Sequence, residues 1–241
     1  MKEKSIYWSV IVPCYNEAKR INNLVEIVQH LRGLDKTWEL IVVNDGSRND
    51  TLTKLRVLNK KFPFRLITYK TNRGKGYAVK TGMLKAVGKY RLFLDVDLST
   101  PIAQMEKLNE SIIRYDVVIG TRKLKGAKVL VHQPLIREKL GVAFTFLSQL
   151  VLNTNISDFT CGFKSFSGEA SERIFQKTRI YRWGFDSEVL FLAKKYGFSI
   201  KEVPVVWKND DRTKVRFPND IFNSFRELLA IRYFDWFKNQ Y

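Results

Sequence analysis

From residue 8 to residue 122 the chain switches back and forth between two hydrophobic periods, and this alternation is its strongest constraint. Short, nearly continuous apolar runs occur at WSVIVPCY (8–15), WELIVVND (38–45), FRLITYK (64–70), YRLFLDVD (90–97) and DVVIGTR (116–122). Between them lie segments of helical period at 17–32, 49–62, 74–87 and 102–113. In the first of these, Ile21, Leu24, Val25, Val28 and Leu31 form one stripe. Strands without an exposed polar face need cover on both sides. Strand–helix alternation supplies that cover, so the expected class is α/β, a mostly parallel sheet with helices on both faces. In such sheets ligands sit beyond the carboxyl ends of the strands. Asn16 and Glu17, Asp45, and Asp95 and Asp97 all fall at those ends.

After residue 122 the alternation stops. A basic stretch leads into an apolar helix over 123–152, and 157–175 reads as a loop or short strand entering a helix. A further helix is expected at 186–197 and a strand at 198–207, where Val203–Pro204–Val205 suits a sheet edge. An aromatic amphipathic helix is expected over 217–241. No linker, repeat or low-complexity segment divides the chain. With 45% hydrophobic residues it can bury a sizeable core. The two cysteines, Cys14 and Cys161, give no disulfide framework, and a reducing compartment is the expectation. The net charge of +18 points to an anionic partner. The start, MKEKSIYWSVIVP, lacks the apolar core of a secretory leader, and no apolar run reaches the length of a membrane span.

Four stretches carry candidate chemistry. VPCYNE (12–17) ends the first strand and presents Asn16 and Glu17; alternatively Glu17 is simply the acid of a first helical turn. VVNDGSRNDT (42–51) places Asp45 to accept bonds from a base or ribose, with Asn49 or Asp50 capping the next helix. TNRGKGYAVKTG (71–82) is a basic, Gly-rich entry to a helix, able to cradle phosphate through backbone N–H groups near Gly74, with Arg73 and Lys75 beside it. It lacks Walker-loop spacing. FLDVDLSTP (93–101) sets Asp95 and Asp97 on one side of a strand end, where they repel unless a cation or strong donor intervenes. Mg²⁺ or Mn²⁺ would satisfy them, taking one or two carboxylates and completing its shell with substrate phosphates.

In order and spacing, VIVPCYNE, VVNDGSRNDT, NRGKGYAVKTGM, FLDVDLSTP and GTRK resemble glycosyltransferase family 2, with its GT-A, Rossmann-like nucleotide-sugar fold. DFTCGFKSFS, RWGFDSEVLFLAKKYGF and IKEVPVVW extend the resemblance over roughly residues 8 to 215. Within the family the chain looks most like the polyprenyl- and dolichyl-phosphate sugar transferases. DLSTP and WKNDDRTKV lean toward the dolichyl-phosphate glucosyltransferase branch. The resemblance implies a catalytic domain over 1–215, with a nucleotide-sugar half (1–122) and an acceptor half (123–215), and a C-terminal helix over 216–241. It implies that Asp45, with Pro13, Tyr15 and Glu17 beside it, holds the nucleotide. Asp95 and Asp97 would bind the donor diphosphate through Mg²⁺ or Mn²⁺. Arg122, Arg137 and Lys214 would position a lipid phosphate, and Asp158 sugar hydroxyls. The family packs a helix carrying Phe185, Asp186 and Glu188 against the sugar pocket.

The implied reaction is inverting transfer of a hexose, glucose from a UDP-sugar or mannose from a GDP-sugar, to a polyprenyl phosphate. A phosphate monoester is mostly ionised at pH 7 and needs cations rather than a general base. A glycan hydroxyl acceptor would need a base, with Asp158 or Glu188 as candidates. A nucleic-acid-binding module is the reading from charge alone, but the basic residues are spread out and no module signature appears. The expected location is cytoplasmic, peripheral at the cytoplasmic face of a membrane. Contact would come from residues 135–152 and the C-terminal helix, which mix aromatic and basic side chains as interfacial helices do. A separate membrane-anchoring protein is a further possible partner. Each argument for Arg137 and Lys214 also admits a plain solvated charge.

Overall fold

The computed structural model describes residues 5–212, 219–237 and 241. Lys214 lies outside the described residues. The expected alternation is realised as β1 (Trp8–Cys14), α1 (Asn23–Arg32), β2 (Trp38–Asp45), α2 (Thr51–Asn59), β3 (Arg65–Tyr69), α3 (Lys75–Lys85), β4 (Tyr90–Leu94), α4 (Met105–Ile112) and β5 (Val117–Thr121). There follow β6 (Lys128–Val131), α5 (Leu135–Leu152), β7 (Phe163–Ser167), α6 (Gly168–Lys177), α7 (Phe185–Lys195), β8 (Ile200–Pro204), β9 (Val206–Lys208) and α8 (Asn219–Trp236). Seven strands form one sheet in the order β3-β2-β1-β4-β7-β5-β8, and β6 pairs with β9 in a small second sheet. All pairings are parallel except those of β7, which runs antiparallel between β4 and β5.

Strand pleating divides the core into two layers. Ile11 and Phe93 face α3, α6 and α7, while Val10, Val12, Leu92 and Leu94 face α1 and α4. The first layer continues into α5 and α8. Phe144 and Phe225 meet edge to face at 5.6 Å, and Leu228 and Ile231 of α8 are buried in the same cluster. The C-terminal helix therefore contributes to the core.

Several boundaries differ from the sequence expectation, each for a local reason. α1 begins at Asn23 rather than 17, because residues 17–22 form a turn in which the Arg20 and Ile21 N–H groups donate to the Glu17 carbonyl. β4 stops at Leu94, so Asp95 and Asp97 lie in a turn closed by the Leu98 N–H on the Asp95 carbonyl, with Leu98 at φ 52°. Strand alternation is thus not what brings the two aspartates together. At α2, Asn49 rather than Asp50 supplies the side-chain bond, accepting from the Thr51 N–H at 3.1 Å.

β7 is the least expected element. Its sequence, FKSFS, places Lys164 and Ser165 fully inside the protein. Lys164 Nζ donates to Asp186 Oδ1 of α7 at 2.5 Å and to the Cys161 carbonyl at 2.7 Å. Removing one member of a buried pair leaves the other charge stranded. Lys164→Met should therefore cost about 3–5 kcal/mol in urea unfolding, and Lys164→Met/Asp186→Leu should recover most of that loss.

Candidate active site

Three loops at the carboxyl end of the sheet are tied to each other by their own polar groups. After β1, Asn16 takes a left-handed conformation (φ 54°) that Asn tolerates better than most residues. Its N–H donates to Ser47 Oγ at 2.9 Å, and its Oδ1 accepts from the Arg48 N–H at 2.9 Å. Pro13 and Tyr15 flank it, half-buried. At the end of β2 the buried Asp45 carboxylate accepts from Asn72 Nδ2 (2.6 Å), the Arg73 N–H (2.8 Å) and the Gly74 N–H (2.9 Å). Burial raises its pKa, and the Arg73 and Gly74 N–H groups oppose that rise.

The N–H groups of Arg73 and Gly74, expected to cradle a phosphate, are bonded to Asp45, and Asp45, expected to hold the nucleotide, ties down the 72–74 loop. Gly74 is required for another reason: at φ +107°, a Cβ would lie 2.2 Å from the Tyr181 carbonyl oxygen.

Lys75, the next residue, reaches the acidic turn. Its Nζ lies 2.7 and 2.9 Å from the two oxygens of Asp95. Burial penalises the Lys75 charge, but Asp95 and Asp186 outweigh that and hold its pKa above the usual lysine range. The loop before β7 presses on the same carboxylate, since a Cβ on Gly162 would lie 2.0 Å from Asp95 Oδ2. Asp97 accepts the Ser99 N–H on Oδ1 at 2.9 Å, and its Oδ2 lies 3.8 Å from Arg20 Nη1. Burial and the neighbouring Asp95 charge raise the Asp97 pKa.

Arg20 and Gly162 belong to this end of the site, and the sequence reading missed both. A lone arginine before a helix carries no signal, whereas a glycine just before a strand is a recognised sign of close approach. Glu17, expected to face a ligand, is buried in a two-pronged pair with Arg20, at 2.5 and 2.7 Å.

Does this end fit a divalent ion? Asp95 and Asp97 lie two residues apart in one turn, burial and the Asp95 charge disfavour the ionised form of Asp97, and Lys75 and Arg20 bring one cation to each. No group of three or more His, Cys, Asp or Glu residues suited to a metal occurs among the described residues. A pair of carboxylates whose partner shell comes from a diphosphate suits Mg²⁺ or Mn²⁺. The residues fit the ion.

A second, basic end forms where β5 meets α5. Arg122 Nε and Nη2 grip Asp158 at 2.7 and 2.8 Å, its N–H adds a third bond at 3.0 Å, and Nη2 also reaches Thr160 Oγ1 at 2.8 Å. Its guanidinium lies over the Trp207 ring at 5.1 Å. Arg137 on α5 is half-buried, and burial together with the Arg122 charge lowers its pKa. Lys123 is also lowered, by burial first and then by Arg122, while its Nζ donates to Thr145 Oγ1 at 2.6 Å. Arg122 thus lies close enough to Lys123 and to Arg137 to oppose the charge of each.

Asp158, the residue expected to meet sugar hydroxyls, is held by Arg122. It is 1% exposed, and Arg122 and Thr160 occupy both its oxygens. Although burial opposes it, the Arg122 charge and bonds hold its pKa down to about 2. Glu188 is equally committed. It is buried, accepts the N–H groups of Arg179 (2.8 Å) and Ile180 (2.9 Å) and the Tyr241 hydroxyl, and burial pushes it up to about 7. Phe185 and Asp186 are buried on α7, behind Lys75 and Lys164.

The glycosyl transferase family 2 profile matches residues 9–175. The chain belongs to glycosyl transferase family 2. It is 32% identical to the dolichyl-phosphate beta-glucosyltransferase of Dictyostelium discoideum over 95% of its own length and 75% of that protein's. It is 36% identical to one from Trichomonas vaginalis over 88% and 66%, and 31% identical to the human enzyme of that name over 86% and 69%. Among solved structures, glucosyl-3-phosphoglycerate synthase of Mycobacterium tuberculosis superposes with a TM-score of 0.70 at 18% identity, over 95% of this chain and 80% of that one. A structure of that protein with Mn²⁺, UDP and glucosyl-3-phosphoglycerate superposes with a TM-score of 0.66 at 20% identity, over 95% and 79%. These likenesses establish the GT-A fold expected from the sequence.

The Asp158–Arg122 pair makes stability depend on acid in a definite direction. The Asp158 pKa falls from 3.8 to about 2 on folding. Its contribution is therefore complete above the unfolded value and is lost as pH drops through the folded one. The stability advantage of the wild type over Asp158→Asn should shrink by about 2 kcal/mol between pH 5 and pH 2, measured by denaturant unfolding at each pH.

Proposed function

We propose that this enzyme transfers glucose from UDP-glucose to dolichyl phosphate, or a similar polyprenyl phosphate, at a membrane surface and with inversion at the anomeric carbon. The observation that carries the reading is the basic end of the site. Arg122, held in orientation by Asp158, shares it with Lys123 and Arg137, and Asp158 is taken up by Arg122 rather than available as a base. A phosphate monoester needs cations to position it, and its second ionisation near pH 6 already makes it a nucleophile at neutral pH. A hydroxyl acceptor would need the base that Asp158 and Glu188 cannot provide. The names of the relatives favour glucose over mannose and dolichyl phosphate over a soluble acceptor.

Residues 1–122 supply the donor half and 123–215 the acceptor half. Pro13, Tyr15, Asn16 and Asp45 shape the nucleotide side through the loops they join. Asp95 and Asp97 would hold Mg²⁺ or Mn²⁺, which would supply charge neutralisation for a departing nucleoside diphosphate. Lys75 sits on Asp95 and brings a second positive charge to that side. Direct attack by a phosphate oxygen on the far face of the sugar converts an α-linked donor into a β-linked product. Lys214, outside the described residues, is carried from the family resemblance as a further cation for the acceptor phosphate.

No helix among the described residues is long and apolar enough to cross a membrane. The enzyme instead lies on the cytoplasmic face, alone or beside an anchoring protein. α5 and α8, packed together, expose Leu135, Ile136, Phe146 and Leu150 on one helix and Phe222, Leu229 and Trp236 on the other. With a net charge of +18, this apolar face suits an anionic leaflet.

Two outcomes are expected. Radiolabel from UDP-glucose should enter the lipid phase with a short polyprenyl phosphate and Mn²⁺ or Mg²⁺, and EDTA should abolish this. Asp97→Ala should lower the rate ~100-fold or more with an unchanged melting temperature. Label from GDP-mannose alone would replace the donor, and hydrolysis without lipid labelling would replace the acceptor. Separately, Phe146→Glu/Trp236→Glu should weaken sedimentation with anionic vesicles by ~10-fold while leaving UDP binding intact. Equal sedimentation of both proteins would remove α5 and α8 from the membrane contact.

A further inference from the structure

Arg20 lies in the turn before α1, and it is 5% exposed. A buried guanidinium has five N–H donors in a rigid fork, and here every edge of the fork faces a carboxylate. Nε and Nη2 take Glu17 at 2.5 and 2.7 Å. The remaining nitrogen, Nη1, lies 3.4 Å from Asp210 Oδ2 and 3.8 Å from Asp97 Oδ2. One cation therefore touches three carboxylates from three separate stretches: the β1 loop, the acidic turn after β4, and the segment after β9.

The backbones of the same stretches are tied by other bonds. Asn23 Nδ2 donates to the Val96 carbonyl at 2.9 Å, the Lys208 N–H to the Ser99 carbonyl at 2.8 Å, and the Asn209 N–H to the Val131 carbonyl at 3.1 Å. These fix where the turn runs, while the direction of the Asp97 carboxylate depends on its two side-chain contacts. Ser99 N–H takes Oδ1 and Arg20 faces Oδ2. Asp210 is bound in turn by Arg212 at 2.9 and 2.6 Å, so the segment 209–212 reaches the turn already folded on itself.

We infer that Arg20 is a positioning residue for the donor. It aims the Asp97 carboxylate and docks residues 209–212 beside it through Asp210. The inference rests on the reading of Asp97 as a donor-side residue. Lysine would keep the charge, but it is a single point donor and cannot hold Glu17 with two nitrogens while a third faces Asp97 and Asp210. The role is therefore separable from charge. Partners that orient a metal-binding carboxylate typically change metal affinity or activity 10–100-fold when lost.

The test compares the full chain with Arg20→Lys, Asp210→Asn and the double variant. One readout is kinetic: KM for UDP-glucose, KM for the polyprenyl phosphate, and kcat. The other needs no turnover: free Mn²⁺ followed by electron paramagnetic resonance during titration in the presence of UDP. Arg20→Lys should raise the donor KM and weaken Mn²⁺ binding with UDP by ~10-fold, leaving the acceptor KM unchanged. Asp210→Asn should produce part of that effect, and the double variant should be no worse than Arg20→Lys alone, since both act through one contact. Wild-type values in Arg20→Lys, a fall in kcat with an unmoved donor KM, or fully additive effects would overturn the inference. A wild-type protein that binds Mn²⁺ with UDP but transfers no glucose would overturn the functional reading only, and weakened binding in the variants would then still uphold the role of Arg20. Absence of Mn²⁺ binding with UDP in the wild type would overturn the inference outright.

Discussion

The carboxyl end of this sheet collects acidic side chains, and their neutralisation governs the local structure. Glu17, Asp45, Asp95 and Asp97 arrive there on three strands, and Asp186 on α7 sits close behind. Ionised carboxylates at a partly dry rim are costly unless paired or hydrogen-bonded. Each is met differently. Asp45 is met by backbone N–H groups and an amide, Asp95 by Lys75, Asp186 by Lys164, and Glu17 with Asp97 by Arg20. The loops take their shape from these pairings. Breaking one moves a loop as well as a charge, which is why positioning and binding are hard to separate at this end.

Asp97 is the member least fully compensated. It has one N–H bond and one distant guanidinium, and its neighbour Asp95 disfavours its ionised form. Lys75 meanwhile holds the Asp95 side, so a cation bound at this turn would have to compete with an ammonium group for that carboxylate.

The first half of the fold was legible because its signals are periodic. β2 begins and ends where the apolar run does, and the burial of Ile11 against Val10 and Val12 is the alternation a strand requires. The clustering of acids at one rim also followed from strand order alone. What period did not reveal was the partner of each side chain. Asp45 and Asp158 look like ligand-binding residues, and each is bonded to a neighbour that sequence spacing does not show: residues 72–74 in one case and Arg122 in the other. β7 was obscured because its central residues, Lys164 and Ser165, are polar. Lys164 is tolerated there because Asp186, 22 positions later, supplies its partner, and Ser165 because its hydroxyl donates to the Val118 carbonyl. Pairing across that distance leaves no trace in hydrophobic period.

The two ends of the site are joined by one short loop. Asp158 at its start fixes Arg122, Gly162 at its end packs on Asp95, and Lys164, two residues on, anchors β7 to α7. Arg122 and Asp95 are thus held by the same seven residues, and both ends meet the sheet at its antiparallel strand. An in-line displacement needs its nucleophile and its leaving group at a fixed separation. A parallel strand in the place of β7 would need a long crossover on a face of the sheet. Running antiparallel, β7 instead receives this loop directly at the ligand end of the sheet. The reversal of that one strand is what lets a single rigid segment set the distance between an acidic end and a basic one.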